Sequence, residues 1–303
     1  MQLLFLGTGG SWPSKIRNVM AIVVRIGSEV LLFDCGEGTQ RQFMQSTVSF
    51  MRVNKVFITH YHGDHFLGLP GLIQSMALND RVEPLYIYGP KGTSYTCKML
   101  LKLGYFSATF DVYTKDLSDH EYIRCNGYDI RTMGMDHDGI PALAYSIEEH
   151  ERPGRFNKAK ALELGIPEGP LFGKLQRGET IKLGNRVITP DMVLGKPRRG
   201  RKIVYSGDTR PLKPFIEFAK NCDVLIHDAT LDSSLEIKAR KYGHSTAKDA
   251  AQIAKATNAK VLFLVHISPR YKEVDVLEKD AKQIFEHTIV PHDLLEYTVK
   301  VSD

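Results

Sequence analysis

The segment Thr59-His60-Tyr61-His62-Gly63-Asp64-His65 sets three imidazoles and a carboxylate within His60 to His65, directly after the apolar run Val56-Phe57-Ile58. Neutral imidazole nitrogen and carboxylate oxygen are the usual ligands of zinc and similar borderline metals. Alternate residues of an extended segment point the same way, so His60 and His62 can approach one metal together. Gly63 lets the chain turn sharply, which would aim Asp64 and His65 at a second metal nearby. A lone His is most often an ordinary core or surface residue, but four ligand residues this dense after a strand argue against that reading. A closed structural zinc is also disfavoured. Such sites are usually rich in Cys, whereas His and carboxylate sites more often keep a position open for water.

These residues need a scaffold. Short apolar runs bounded by polar residues predict strands at Leu3 to Leu6, Ala21 to Ile26, Val30 to Asp34, Val56 to Thr59 and Leu85 to Tyr88. The second half repeats the rhythm at Tyr128 to Met133, Leu143 to Glu148, Lys202 to Ser206, Val224 to Asp228 and Val261 to Val265. Helices are predicted at Gly38 to Ser46, Phe66 to Met76, Lys91 to Lys102, Ala247 to Thr257 and Val274 to Phe285. The two similar halves suggest an α/β sandwich of two sheets flanked by helices. From about Glu151 to Pro197 the chain is rich in Gly, Pro and charge, and reads as a long loop-like insertion projecting from the core.

Two metals need more ligands than one hexapeptide supplies. Asp136-His137-Asp138, Ser206-Gly207-Asp208-Thr209 and His266 each follow the end of a predicted strand, where loops build sites. The remaining composition is unexceptional. The chain has 303 residues, 43% hydrophobic and 25% charged, with net charge +5, as in a globular domain with a sizeable core. That balance permits an anionic partner without requiring one. Cys35, Cys97, Cys125 and Cys222 form no CxxC pair and fit a reducing compartment. The N-terminus lacks a basic n-region and reads as a first strand, and no apolar run approaches the roughly 18 residues of a membrane span. A cytoplasmic protein with no membrane partner is expected.

The set His60, His62, Asp64, His65, His137, Asp208 and His266 resembles the metallo-β-lactamase superfamily. Further motifs narrow this. Pro13-Ser14-Lys15-Ile16-Arg17-Asn18 resembles the PxKxRN loop of the ribonuclease Z family, the tRNA 3′-processing endonucleases. His227-Asp228-Ala229-Thr230 is similar to that family's HEAT motif, with Asp where the family usually has Glu, and Gly243-His244-Ser245-Thr246 to its His-Ser-Thr segment. Gly169-Pro170 resembles the Gly-Pro of its exosite arm. The likeness spans essentially the whole chain and fits the short form of the enzyme.

The resemblance implies a four-layer αβ/βα sandwich formed by one domain, with an arm at about residues 151–197 that protrudes and binds tRNA. It implies two Zn²⁺ per subunit, although Mn²⁺, Co²⁺ or Fe²⁺ could occupy the same ligands. His60, His62 and His137 would hold the first metal, Asp64, His65 and His266 the second, and Asp208 would bridge them. Asp64 would also accept a proton from the attacking water, and His244, oriented by Asp228, would donate one to the leaving ribose 3′-oxygen. Asp34 is a candidate buttress for the ligand loop.

Precursor tRNA is the implied partner, gripped by Pro13, Lys15, Arg17 and Asn18 near its 3′ end and by the arm around Gly169 and Pro170. The family resemblance also implies a homodimer. The run Lys196 to Lys202 adds five cations, either a solvated face or a phosphate contact. A rival reading is another binuclear hydrolase of the superfamily, acting on a small phosphodiester, ester or thioester. It would need neither the PxKxRN loop nor the arm. An RNA-binding protein without catalysis would be expected to have lost ligands, and all seven are present.

Overall fold

Alternation of buried side chains builds the layers. In β1 (Gln2–Gly7), Leu3 and Phe5 join one core while Leu4 and Leu6 join another, so both faces of the strand are covered. The same division recurs in β2 (Ala21–Ile26) and β3 (Glu29–Phe33). In the computed structural model, residues 1–301 are described. The strands β4 (Val53–Phe57), β5 (Leu85–Gly89) and β6 (Val112–Asp116) follow in the first half. Next come β7 (Tyr122–Arg124), β8 (Tyr128–Gly134) and β9 (Leu143–Glu149). β10 (Ile181–Leu183) and β11 (Arg186–Ile188) form a separate hairpin. β12 (Lys202–Tyr205), β13 (Val224–Asp228), β14 (Val261–Val265), β15 (Thr288–Ile289) and β16 (Leu295–Thr298) complete the chain.

Two seven-stranded sheets result, ordered β16-β1-β2-β3-β4-β5-β6 and β15-β14-β13-β12-β9-β8-β7. Their facing sides share one core, with Phe5, Phe33 and Phe57 from the first sheet and Tyr145, Tyr205 and Phe263 from the second. The outer side of the first sheet packs on α1 (Thr39–Gln45), α3 (Leu69–Leu78) and α4 (Thr93–Leu100). The second sheet's outer side packs on α7 (Lys213–Phe218), α9 (Ala247–Ala256) and α10 (Asp275–Lys282). The arrangement is the expected αβ/βα sandwich. Within the sheets, β3 to β6 run parallel, as do β12 to β15, so their C-terminal ends gather loops that carry the expected ligands.

Some element boundaries differ from the sequence reading. β4 starts at Val53 and ends at Phe57, before Thr59. The helix expected from Phe66 is two pieces, the single turn α2 (Gly63–Phe66) and then α3. They meet at Gly68, where a Cβ would lie 2.0 Å from the Gly36 carbonyl oxygen, so chain packing rather than helical periodicity sets the break.

Residues 149–201 form a second compact unit. It is not the irregular loop its composition suggested. It holds α5 (Lys158–Glu163), α6 (Pro170–Gln176) and the β10–β11 hairpin around Ala161, Ile166, Leu175, Ile181, Ile188 and Val193. Those apolar residues are too widely spaced to show a period, yet they converge. At the root, Arg201 Nε and Nη2 donate to Glu149 Oε2 and Oε1 at 2.8 and 2.6 Å. This bond holds the Glu149 carboxyl at about 2, against the upward push of burial. The stabilisation is present above the ordinary value of 4.5 and is lost as pH falls towards about 2. Glu149→Gln should therefore lower unfolding free energy by about 1.5–3 kcal/mol at neutral pH. Urea unfolding should show that gap narrowing as pH falls below the ordinary carboxyl range. A gap independent of pH would assign the effect to something other than this ion pair.

Candidate metal centre

The seven expected ligands converge from the ends of β4, β8, β12 and β14 and from α2. His60 and His62 follow β4, while Asp64 and His65 lie on the one-turn helix α2, which Gly63 opens. His137 follows β8, Asp208 follows β12 and His266 follows β14 directly. His266 has a left-handed φ of 61°, a conformation a non-glycine residue adopts at a cost, which the surrounding contacts must hold.

Asp208 sits in the middle, 2% exposed. Its Oδ2 lies 3.1 Å from His266 Nε2, 3.3 Å from His65 Nε2, 3.8 Å from His60 Nε2 and 3.9 Å from His137 Nε2. His62 reaches the cluster from an exposed rim position, with Nδ1 3.1 Å from His137 Nε2. Asp64 Oδ2 lies 3.1 Å from His266 Nε2 and 3.7 Å from His65 Nε2. His60, His62 and His137 thus form one group of ligand atoms, and Asp64, His65 and His266 another.

Each buried imidazole is fixed through its other nitrogen. His65 Nδ1 bonds Asp34 Oδ2 at 2.8 Å, His137 Nδ1 the Gly243 carbonyl at 2.8 Å and His266 Nδ1 the Thr230 hydroxyl at 2.7 Å. His60 Nδ1 lies 3.1 Å from the Thr59 hydroxyl. That leaves Nε2 facing inwards, the arrangement that orients His on a metal. His60 Nε2, His65 Nε2 and Asp208 Oδ1 are buried with no hydrogen-bond partner. Orphaned buried polar atoms are costly, and the nitrogen and oxygen donors here suit a zinc-type cation. The residues therefore fit a divalent metal.

Electrostatics agree. Burial, then the neighbouring His65, pushes His60 well below its ordinary value and keeps it neutral. Burial opposes ionisation of Asp208, yet His266 and His65 hold it well below the usual carboxylate range. Asp64 is likewise lowered, burial being outweighed by His65 and His266.

A second network adjoins the cluster. Asp228, fully buried, accepts from His244 Nδ1 at 2.9 Å, Thr209 N at 3.1 Å, Thr230 N at 2.9 Å and Thr230 Oγ1 at 2.7 Å. The shorter Asp side chain therefore does reach His244. Although Asp228, His244 and His266 are close enough to share an ion, these donors already occupy the Asp228 carboxylate, so the trio reads as a hydrogen-bond network. Burial would lower His244, but Asp228 raises it to about 9. The His244 ring packs against His137 and His266, with centroids 4.9 and 5.0 Å away.

The proposed substrate residues fare differently. Pro13 and Lys15 are exposed. Arg17 turns inwards, its Nη1 donating to Thr8 Oγ1 at 2.6 Å and the Pro291 carbonyl at 2.5 Å, so its guanidinium braces the loop from beneath. Asn18 N donates to Asp293 Oδ2, and the Asn18 carbonyl accepts from Thr8 and Gly9. Gly169 precedes α6, and Pro170 is its first residue. In the run Lys196 to Lys202, Arg201 pairs with Glu149, and Lys202 Nζ donates to the Phe218 carbonyl, so those two cations are used internally. Sequence reasoning missed Arg210, which bonds Asp136 and Asp138 on either side of His137 at 2.8 and 3.2 Å. It also gave no role to Thr230, the last residue of the His227-Asp228-Ala229-Thr230 motif.

Residues 1–134 match the family described as Anti-Pycsar protein Apyc1, and residues 190–267 the Beta-lactamase superfamily domain. Ribonuclease Z of Archaeoglobus fulgidus is 46% identical over 300 residues, 98% of this chain and 97% of that protein. Ribonuclease Z of Methanothermobacter thermautotrophicus is 45% identical over 303 residues, 100% of this chain and 98% of that protein. The chain belongs to the ribonuclease Z family. A crystal structure of human tRNase Z, short form, superposes with a TM-score of 0.73 at 28% identity, over 99% of this chain and 100% of that one. Membership of the ribonuclease Z family fits the converged ligand set.

His65→Ala and Asp208→Ala should each lower bound metal, measured by elemental analysis, while circular dichroism stays that of the folded protein. Two full metal equivalents in both variants would remove these residues from the ligand set.

Proposed function

We infer that this chain is an endoribonuclease that removes the 3′ trailer from precursor tRNA, as its ribonuclease Z relatives and its fold indicate. One observation carries the reading to chemistry: the His244–Asp228 pair, 2.9 Å apart, stands against a ring of imidazoles around one buried carboxylate. We propose cleavage 3′ of the discriminator base, leaving a 3′-hydroxyl on tRNA and a 5′-phosphate on the trailer.

His60, His62 and His137 would hold one cation, Asp64, His65 and His266 the other, and Asp208 would bridge them, with Zn²⁺ the proposed metal. When bound, such a pair supplies Lewis-acid charge for the phosphoryl oxygens and makes a neighbouring water a better nucleophile at neutral pH. Asp64 accepts the proton from that water; its Oδ2 is held by the Ser11 backbone N–H at 2.5 Å. His244 gives a proton to the leaving 3′-oxygen, and Asp228 holds the imidazole in place and favours its charged form.

Binding is assigned to Pro13 and Lys15 beside the site and to the 149–201 unit. That unit has a cleft of about 600 Å³ lined by Arg152, Arg155 and Arg198, among others. Such donors suit phosphate oxygens, which position nucleic acid without reading its sequence. A homodimer is proposed as well: α1 and α3 touch, and each leaves an apolar side chain exposed, Met44 and Leu78. No helix among the described residues is long and apolar enough to cross a membrane, and a cytoplasmic site of action is proposed on the substrate's account.

Cleavage of precursor tRNA with mapping of both new ends tests the reading. His244→Ala should slow cleavage about 10²–10⁴-fold with metal content and tRNA affinity nearly unchanged. Loss of metal in that variant would make His244 a ligand. Deleting residues 155–177 should spare hydrolysis of bis-p-nitrophenyl phosphate, because no metal ligand lies there. It should cut kcat/KM on precursor tRNA and flatten the salt dependence of binding, because phosphate contacts are lost. Equal loss on both substrates would mean that the segment supports the core.

A further inference from the structure

Arg210 follows Asp208 closely in sequence, and an arginine beside a phosphodiester site would ordinarily be assigned to the substrate's phosphate. Its contacts point elsewhere. Nη1 donates to Asp136 Oδ1 at 2.8 Å, Nη2 to Asp138 Oδ1 at 3.2 Å and Nε to the Arg240 carbonyl at 2.6 Å. Each guanidinium nitrogen therefore has an acceptor within the chain, and the side chain is 24% exposed.

The acceptors lie on segments distant from Arg210 in sequence. Asp136 and Asp138 flank His137, in a turn where Asp138 takes a left-handed φ of 51° and the Ile140 N–H donates to the His137 carbonyl at 3.2 Å. A non-glycine residue holds that conformation at a cost that its contacts must offset. The Arg210 backbone adds to them, its N–H donating to the Asp136 carbonyl at 2.9 Å.

Arg240 lies in α8 (Glu236–Lys241), shortly before Gly243 and His244. The Gly243 carbonyl bonds His137 Nδ1, and the His244 N–H donates to the Ala239 carbonyl at 2.9 Å. The Arg240 guanidinium pairs with both carboxylate oxygens of Asp249 at 2.8 and 2.7 Å, and Asp249 belongs to the capping box that opens α9. The loop that carries His244 is thus clamped at both ends. Arg210 joins it to the His137 turn and to the strand end that carries Asp208. An isolated exposed ion pair contributes little. Arg210 differs because one planar group sets the spacing of three separate segments.

We propose that Arg210 is a positioning residue: it fixes His137 and the His244 loop relative to Asp208 and does not bind substrate. The proposal rests on the metal and endonuclease reading above.

The test compares the intact protein with Arg210→Ala, Arg210→Lys, Asp136→Ala and the double variant Arg210→Ala/Asp136→Ala. Zn²⁺ affinity is measured by competition with a chelator, and kcat and KM on precursor tRNA and on bis-p-nitrophenyl phosphate. Arg210→Ala should weaken Zn²⁺ binding about 10–100-fold and lower kcat on both substrates, with KM for precursor tRNA and circular dichroism unchanged. Arg210→Lys keeps the charge without the fork and should not restore the intact affinity. Asp136→Ala should weaken Zn²⁺ binding in the same direction, and its effect should largely vanish in the Arg210→Ala background. A raised KM for precursor tRNA, with Zn²⁺ affinity and hydrolysis of the small phosphodiester unchanged, would make Arg210 a phosphate contact and overturn the proposal. Fully additive losses in the double variant would overturn it too. If Arg210→Ala does not fold, an unchanged Zn²⁺ affinity in Asp136→Ala overturns it. If the intact protein binds Zn²⁺ but cleaves no precursor, the endonuclease reading fails, while Zn²⁺ affinity and the small substrate still decide the role of Arg210.

Discussion

A carboxylate that is 2% exposed cannot remain charged without opposite charge close by, and Asp208 is the group around which this protein is arranged. Leaving a buried charge unpaired costs about 3–5 kcal/mol. Here the oxygen is ringed by four imidazole nitrogens delivered from three separate segments of the chain. Those nitrogens are themselves buried and partly orphaned, so the cluster is balanced only with cationic charge inside it. The ends of parallel strands from two sheets must meet there, and the sandwich is the fold that makes them meet.

The ring is rigid because its outer partners belong to the core. Asp34 accepts from His65, from Thr59 and, at 2.7 Å, from Tyr205, which ties a strand of the second sheet to a candidate ligand of the first. Tyr145 adds a bond across the sheets to the Ile58 carbonyl at 2.6 Å. The Thr230 hydroxyl bonds His266 Nδ1 and donates a hydrogen bond to Asp228, so one hydroxyl joins the candidate ligands to the pair that includes His244. Gly243, with φ of 75°, brings its carbonyl to His137; a Cβ there would lie 2.8 Å from His137 Nδ1. Rotamers locked in this way keep donor atoms aimed inwards at little entropic cost when metal or substrate binds.

The 149–201 unit follows a different economy. Its core is six small or medium side chains, and exposed ion pairs such as Lys158–Glu168 contribute little to its stability. Several of its cations are used internally, Arg201 on Glu149, Lys158 on Glu168 and Arg177 on Glu179.

Sequence alone showed the candidate ligand types, their dense spacing from His60 to His65 and the strand ends at which the others occur, because strand periodicity and imidazole chemistry are local properties. The buried strands were legible for the same reason: Val224–Ile226 and Val261–Val265 are unbroken apolar runs, buried on both faces. Only the tertiary structure decided what depends on residues distant in the chain. It turned Arg17 inwards to Pro291, split the helix after His65 at a glycine pressed against Gly36, and folded the insertion around scattered apolar residues. It also showed that the one-methylene-shorter Asp228 reaches His244, since that distance is set by how β13 and the loop before α9 pack. Spacing along a chain fixes which groups are available; long-range packing fixes which of their atoms face one another.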